Sequence, residues 1–273
     1  MTDPDKVQGQ RRGAVSRRAL CAGIALLPFS TAAFATEEDV RLAIIKDFGL
    51  MPIPEGDVRI DMPDFSDSGK SVPLTVTVPC SMQGLDYPEA VAVYAARNPR
   101  PRVLTAYFTP ACSEATFSTR LRIDSYQDIT VVVKMASGEV FKGVRKVDVT
   151  YGACEDAVAN DQFPPGWSPR IRLSVPKIVA SAAPFEVRTI IGHPMETGFR
   201  HNAQGLIIPA RIAEWFRCFL GDAVAFSVKL QPAVAANPYF AFNLSVRQNE
   251  TLHFEWIDTT SEIYSDEAQI LVE

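Results

Sequence analysis

The sequence predicts an all-β protein made of two β-sandwich domains, with one short N-terminal helix in the mature chain. Short runs of β-branched and aromatic residues recur along the chain, separated by turn residues, which is typical of strands. The 273 residues include 20 prolines, which interrupt helices. Helical periodicity after the leader is confined to a single passage. Together these observations favour many short strands over helices.

Residues 1–35 have the pattern of an export signal peptide. Ser16-Arg17-Arg18 precedes an apolar core over residues 20–29, and Ala33-Phe34-Ala35 is a small-x-small cleavage site. Paired arginines directly before the core are typical of the twin-arginine route, with an ordinary secretory signal as the alternative. The core is too short to span a bilayer. We therefore expect the mature chain to begin near Thr36, in the periplasm and without a membrane span.

The first element of the mature chain is predicted to be a helix over residues 36–50. Val40, Ile44 and Phe48 recur at a spacing of four, and acidic residues occupy the first turn. Gly49 is expected to end the helix, which should pack on a sheet.

A first β-sandwich is predicted over residues 36–157. Its turns include Asn98-Pro99-Arg100-Pro101 and Ser137-Gly138. Strands are predicted over residues 72–78, 90–96, 103–108, 115–123, 129–135 and 139–151. Six or seven short strands at this spacing indicate a sandwich.

A second β-sandwich is predicted over residues 169–273, after a linker of residues 158–168 that contains Pro164-Pro165-Gly166. Strands are predicted over residues 171–175, 185–192, 214–220, 222–228, 239–246, 252–258 and 268–272. No evident sequence repeat relates the two halves, so we interpret them as two domains rather than a repeat array.

Composition and motifs argue against several classes of function. The net charge of −5 gives no indication of nucleic-acid binding. The three histidines stand at unrelated spacings, which disfavours a metal site. Neither a G-x-S-x-G turn nor a glycine-rich phosphate loop occurs. We therefore expect no metal and no cofactor.

The mature chain keeps four cysteines, because Cys21 leaves with the leader. Cys80 and Cys112 both follow strands of the first domain, and they can form a structural disulfide or stay as two reduced thiols. Cys218 lies in an aromatic strand, where a buried and inert thiol is expected. No C-x-x-C redox motif occurs.

Cys154 differs from these because it follows the end of a predicted strand, in Tyr151-Gly152-Ala153-Cys154. Small neighbours give a thiol the steric access that a nucleophile or a covalent attachment point needs. The alternative is a loop cysteine without chemistry, unpaired or in a disulfide. No base or resolving cysteine accompanies it in the sequence, which disfavours a self-sufficient thiol enzyme. A second unusual loop, His193-Pro194-Met195-Glu196-Thr197-Gly198, shapes a pocket or an interface, or only fixes a turn.

Several of these segments carry a family resemblance. Residues 183–200, which include the loop at His193, and residues 231–240 closely resemble the two signatures of SoxZ. The first domain is similar to SoxY in its export signal, its Asn98-Pro99-Arg100-Pro101 turn, the run Phe117-Ser118-Thr119-Arg120-Leu121-Arg122 and the cysteine after its final strand. The whole chain thus resembles a fused SoxYZ, the sulfur carrier of periplasmic thiosulfate oxidation. It also resembles fused carriers associated with quinoprotein alcohol dehydrogenases.

The resemblance implies immunoglobulin-like sandwiches that pair within the chain, and a carrier rather than an enzyme. It assigns covalent sulfur attachment to Cys154, with Gly152 and Ala153 as its arm. It implies as partners periplasmic sulfur-oxidation enzymes or a quinoprotein dehydrogenase. The alternative function is a non-catalytic docking or assembly partner of such a dehydrogenase. A dimer formed by a disulfide between two Cys154 residues is a further alternative.

The arm departs from the family pattern, which is Gly-Gly-Cys-Gly-Gly at the end of the chain. Here the thiol stands between Gly152-Ala153 and Glu155-Asp156, and a whole domain follows. Fewer glycines and a second tether reduce the reach of the sulfur. The two carboxylates disfavour the thiolate. Either the partner enzymes come to this thiol, or its cargo differs from that of the family.

Overall fold

The computed structural model describes residues 35–49, 52–153, 163 and 166–273. These residues form one helix, α1 (Glu37–Phe48), and sixteen strands. The first half contributes β1 (Arg59–Asp61), β2 (Phe65–Ser68), β3 (Val72–Thr77), β4 (Pro88–Ala95), β5 (Arg102–Phe108), β6 (Cys112–Leu121), β7 (Gln127–Met135) and β8 (Val140–Tyr151). The second half contributes β9 (Ile171–Ser174), β10 (Ile178–Val179), β11 (Phe185–Ile191), β12 (Ala213–Leu220), β13 (Ala223–Leu230), β14 (Tyr239–Leu244), β15 (Glu250–Asp258) and β16 (Ile263–Val272).

Helix α1 begins and ends where its sequence signals predict. Thr36 and Asp39 form a capping box, in which each side chain accepts a hydrogen bond from the backbone N–H of the other. Gly49 ends the helix with a φ of 68°, a left-handed conformation that favours glycine. Val40 and Ile44 are buried. They pack on residues of the neighbouring sheet, namely Ala92, Tyr94, Ala96 and Val132. The prediction that the helix packs on a sheet is confirmed.

The strands form two sheets that enclose a common core, so the all-β prediction is confirmed. The smaller sheet has the order β1-β3-β6-β14-β11-β9, and the larger has the order β10-β16-β15-β12-β13-β5-β4-β7-β8-β2. Neighbouring strands are antiparallel except for two edge pairs, β2 with β8 and β10 with β16. The strands expected from alternation are all present, and their inward residues are the buried ones.

Both sheets run continuously from the first half of the chain into the second. In the smaller sheet β6 pairs with β14, and in the larger sheet β5 pairs with β13. Aromatic rings from both halves meet in one core, where the ring centroids of Phe108 and Phe226 are 5.0 Å apart. The two sandwiches are therefore joined edge to edge, and the described residues of both halves form one compact unit.

Three short strands, β1, β2 and β10, carry no sequence signal of their own. Each has two to four residues and lies at the edge of a sheet, where a longer neighbour imposes the extended conformation. No helix within the described ranges has the length and apolarity needed to cross a membrane.

Candidate functional site

The chain leading to Cys154 is held in place as far as Ala153, while Cys154 itself lies outside the described residues. Strand β8 ends at Tyr151, as predicted. Beyond it the backbone continues to pair: Gly69 N–H donates to the Tyr151 carbonyl at 2.7 Å, and Ala153 N–H donates to the Ile123 carbonyl at 3.1 Å. Ile123 N–H in turn donates to the Gly69 carbonyl at 2.8 Å. The thiol-bearing residue therefore follows a fixed backbone.

This pairing depends on two glycines that allow the backbones to approach closely. A Cβ added to Gly69 would lie 1.8 Å from the carbonyl oxygen of Ile123, and one added to Gly152 would lie 2.3 Å from that of Asp124. Neither distance is compatible with a side chain. The family resemblance assigns Gly152 and Ala153 to the arm of the thiol. In the structure Gly152 packs closely on Asp124, and Ala153 is hydrogen bonded to Ile123.

Ala153 lines a small apolar cavity of about 30 Å³ at the junction of the two halves. A cavity of this size holds one or two water-sized groups. The first half contributes Ala153, Asn98, Pro99, Arg100, Arg122 and Asp124. The second half contributes Thr197, Phe199, Pro232 and Ala233. The cavity thus gathers segments that the sequence analysis singled out separately: the Asn98 turn, the end of the run at Phe117, the loop at His193 and the second signature.

Arg122 joins these segments across the junction. Its guanidinium donates to the carbonyls of Met195 and Pro232 at 2.9 Å each, and to that of Pro194 at 3.2 Å. Its backbone N–H donates to the Ala233 carbonyl at 2.7 Å. One side chain of the first half therefore fixes two loops of the second half, which line the cavity.

Asn98 also lines the cavity, at the start of the turn, and is almost fully buried. Its side-chain amide donates to the Arg122 carbonyl at 2.7 Å. Its side-chain oxygen accepts from Gln127 Nε2 at 3.0 Å. Because the polar atoms of Asn98 are satisfied internally, the turn presents Pro99 to the cavity as an apolar wall.

The loop at His193 is a rigid, buried structure rather than an exposed turn. His193 is fully buried, and its Nδ1 accepts a hydrogen bond from Met195 N–H at 3.0 Å. Its Nε2 has no hydrogen-bond partner in the described part of the chain and lies 4.0 Å from Asp258 Oδ2. Burial lowers the pKa of His193 to about 4; Asp258 opposes this effect and Arg211 adds to it. The imidazole is therefore neutral at physiological pH.

Two aromatic residues of the linker pack against this loop. The rings of Phe163 and Trp167 meet the imidazole of His193 edge to face, with centroid distances of 5.5 and 5.4 Å. The guanidinium of Arg211 lies 4.6 Å from the ring centroid of Phe163 and 5.0 Å from that of Trp167. Arg211 is itself held by Asp258, through an Nε to Oδ2 hydrogen bond of 2.8 Å. The chain is thus anchored again shortly after the residues that follow Cys154.

The disulfide considered between Cys80 and Cys112 is not formed, because both are free cysteines in the structure. The Cys112 thiol is buried and donates to the Ala225 carbonyl at 3.4 Å, whereas the Cys80 thiol contacts Met82 Sδ at 3.5 Å. Burial raises the pKa of Cys112 to about 12 and also raises that of Cys218. Both are inert core thiols, as predicted for Cys218.

Within the described ranges, no group of three or more His, Cys, Asp or Glu side chains is arranged to hold a metal ion. His193 is buried in its loop, whereas His253 lies beside Glu255 and Glu267 on the larger sheet.

Fold and site together define a class of protein: two β-sandwiches fused edge to edge, with a thiol-bearing segment that begins at a cavity between them. Comparison with protein families is consistent with this description. Residues 46–154 match the family described as sulfur oxidation protein SoxY, and residues 171–269 match sulphur oxidation protein SoxZ. The chain therefore belongs to the SoxYZ-like sulfur-oxidation proteins, with a SoxY domain followed by a SoxZ domain.

Two solved structures illustrate what the chain is similar to. The sulfur carrier protein SoxY from Chlorobium limicola f thiosulfatophilum is 26% identical over 41% of this chain and 97% of its own, with a TM-score of 0.36. The superoxide reductase (neelaredoxin) from Ignicoccus hospitalis is 20% identical over 38% of this chain and 80% of its own, with a TM-score of 0.30. No curated protein sequence matches the chain significantly.

Proposed function

We propose that this protein is a sulfur carrier of thiosulfate or sulfur oxidation, which holds sulfur intermediates covalently on Cys154 while partner enzymes load, oxidise and unload them. The observation that carries the proposal is the position of Ala153. It lines the cavity between the SoxY and SoxZ domains, and Cys154 is the next residue in the chain. An apolar cavity suits a sulfane sulfur, which is polarizable and weakly hydrated.

The chemistry requires a partner. Joining the Cys154 thiol to the sulfane sulfur of thiosulfate forms an S–S bond, releases the thiol proton and removes two electrons. A partner oxidoreductase accepts those electrons, and other enzymes act on the bound group afterwards. The chain itself supplies attachment and positioning, so it acts as a carrier rather than as an enzyme.

The location we propose is the periplasm. Its support is the leader over residues 1–35, with paired arginines before an apolar core and a cleavage site ahead of Thr36. Residues 1–34 of the leader lie outside the described residues. The partners are then periplasmic sulfur-oxidation enzymes or a quinoprotein dehydrogenase.

Intact-mass spectrometry under non-reducing conditions tests the proposal on mature protein isolated from cells that are oxidising thiosulfate. We expect adducts that reductant removes and that map to Cys154, and we expect them to be absent from Cys154→Ser. Cys80→Ser is the matched control, because Cys80 is the one cysteine among the described residues that is not buried, and this variant should keep the adducts. The same spectrum reports whether the mature chain begins near Thr36.

Adducts that persist in Cys154→Ser would rule out this carrier function. Full thiosulfate oxidation in Cys154→Ser cells, with no adduct on the native protein, would instead favour a docking or assembly partner of a dehydrogenase.

A further inference from the structure

A hairpin of the SoxZ domain begins at the cavity that Ala153 lines. It spans residues 199–208, between β11 and β12, and we name it the docking hairpin. Its backbone is paired, since Ile208 N–H donates to the Arg200 carbonyl at 2.9 Å and Asn202 N–H donates to the Leu206 carbonyl at 2.8 Å. The Asn202 side chain accepts from Gln204 and Leu206 N–H and so closes the tip. The conformation of the tip is therefore preorganised for binding.

A buried carboxylate holds the base of the docking hairpin. The side chain of Glu196 is almost fully buried and binds the guanidinium of Arg200. It also accepts from Gly198 N–H at 3.2 Å, and the Glu196 carbonyl accepts from Arg211 N–H at 2.9 Å. Because base and tip are both fixed by hydrogen bonds, little conformational entropy is lost when another molecule binds the hairpin.

The docking hairpin exposes large apolar side chains. Leu206 and Ile207, towards its tip, are 65% and 63% exposed, and Phe199, at its base, is 36% exposed. Neighbouring apolar side chains held by a short, rigid hairpin are typical of a binding surface. Their exposure is costly in water unless a partner covers them.

The docking hairpin is continuous with the cavity at Ala153, the residue before Cys154. Phe199, its first residue, lines the same cavity as Ala153. A specific interface covers about 800 Å² on each partner, so an enzyme whose active site reaches Cys154 also covers surface beside the cavity. The tip lies only seven to eight residues from Phe199 along a folded-back ribbon, so it falls within that area.

Charge near the hairpin indicates the chemistry of the partner. Residues 199–210 contain no Asp or Glu, although the chain as a whole has a net charge of −5. The charge of Arg200 is balanced by Glu196, whereas Arg100 is exposed at the cavity that the hairpin borders. Arg122 and Asp124 also line that cavity with opposite charges and are only partly exposed, so Arg100 is its exposed positive charge. A neutral apolar tip beside an exposed arginine fits an apolar pocket with acidic residues at its edge.

We propose that the docking hairpin is the surface through which the enzymes that act on Cys154 bind this protein, with Leu206 and Ile207 inserted into an apolar pocket that has an acidic rim. This inference rests on the proposed carrier function and adds to it where the partners bind.

The test compares rates of adduct formation on purified, full mature chains. Each protein is incubated with thiosulfate and an extract of cells of the source organism in which the gene for this protein has been deleted. Adducts on Cys154 are followed by intact-mass spectrometry. We expect the double variant Leu206→Ser with Ile207→Ser to form adducts about tenfold more slowly, as for loss of interface hot-spot residues. Gln204→Glu should slow the reaction and Gln204→Lys should not, because an acidic rim repels the added carboxylate.

Leu85→Ser is the matched control. Leu85 is 64% exposed and follows the C-terminal end of β3, at Thr77. The Gly69 and Ile123 pairing lies beyond the other end of β3, at Val72. Its rate should equal that of the native chain. Methyl methanethiosulfonate, a small reagent that needs no docking, should label Cys154 equally fast in all variants.

Equal enzymatic rates in the double variant and the native chain would overturn the docking role while leaving adducts on both. A native dimer that the double variant abolishes in sedimentation would make the hairpin a self-association surface, and would also overturn it. Absence of adducts on the native chain overturns the carrier function, and the docking role with it.

Discussion

The residues that flank Cys154 are anchored in two different ways. On the upstream side, residues up to Ala153 are fixed by backbone hydrogen bonds to Gly69 and Ile123. On the downstream side, the linker is fixed by the side chains of Phe163 and Trp167. The upstream anchor requires glycine at positions 69 and 152, because a side chain there would clash with the backbone. The downstream anchor is formed by two aromatic side chains.

The difference bears on the proposed role of Cys154 as a carrier thiol. The backbone hydrogen bonds of the upstream anchor, which join Gly69, Tyr151, Ala153 and Ile123, involve no group that titrates. The aromatic anchor packs on His193, which is buried and neutral. Protonation of this histidine at low pH would destabilise the folded state. In this fused chain the restraint on Cys154 therefore comes from two anchors of unequal sensitivity, rather than from a free chain end.

The largest effect should come from the upstream anchor. We expect Gly69→Ala to lower the free energy of unfolding by about 4 kcal/mol, because its Cβ meets a backbone oxygen that cannot move without shifting the strand. The unfolding midpoint in urea measures this loss. Hydrogen exchange at Ala153 should accelerate in the same variant, since the bond to Ile123 is broken.

Gly192→Ala is the control for this comparison. A Cβ at Gly192 would lie 3.7 Å from the nearest backbone atoms, an ordinary contact distance. Its unfolding midpoint should stay close to that of the native protein. Equal midpoints for the two variants would contradict a close-packed upstream anchor.

A smaller effect should come from the titration of His193. Unfolded histidine has its ordinary pKa near 6.5, whereas in the folded protein burial lowers the pKa of His193 to about 4. Between these values the unfolded state binds more protons, so the free energy of unfolding should fall as the pH drops from 6.5 to 4, by about 3 kcal/mol in total. Above pH 6.5 this residue contributes no pH dependence.

His193→Gln should remove that slope, which urea titrations at several pH values would measure. Asp258, its neighbour, acts in a different window. Burial raises the pKa of Asp258, but hydrogen bonds from Thr260 and Arg211 outweigh burial and lower it below its ordinary value. Its contribution is therefore lost only at lower pH. An unchanged slope between pH 4 and 6.5 in His193→Gln would show that other groups cause it.

The smallest effect on global stability should follow Trp167→Ala, at about 2 kcal/mol, from the loss of its ring contacts and its contact with Arg211. The sharper measurement is limited proteolysis, in which cleavage within residues 154–166 should accelerate. Trp215→Ala is the control, since Trp215 also packs beside cations, Arg217 and Lys229, but on the larger sheet. Equal acceleration in both variants would contradict a local anchoring role for Trp167.

Local patterns predicted most of the secondary structure. Alternation in β3 and the capping signals of α1 act over a few residues, so they are visible in the sequence. The same holds for the end of β8 at Tyr151 and for the inert thiol of Cys218. The segments resembling SoxY and SoxZ were also identified from short runs of residues.

The site depended on contacts between distant residues. Arg122 lies 73 residues from Met195 and 110 from Pro232 along the chain, and no local spacing indicates that it binds both. The role of Gly69 was missed for the same reason, because its close approach to Ile123 arises only when β3 and β6 pair. Cys80 and Cys112 were a plausible pair by position, yet their thiols have different partners.

The sequence by itself determined the strands, the helix, the position of Cys154 after a strand end and the two family segments, since each is set by interactions between near neighbours. Only the tertiary structure decided that the two sandwiches share both sheets, that a cavity forms where their loops meet, and that Gly152 is needed for close packing. These features follow from strand edges and loops that find each other across the chain, where the pairing energy depends on three-dimensional fit rather than on local pattern.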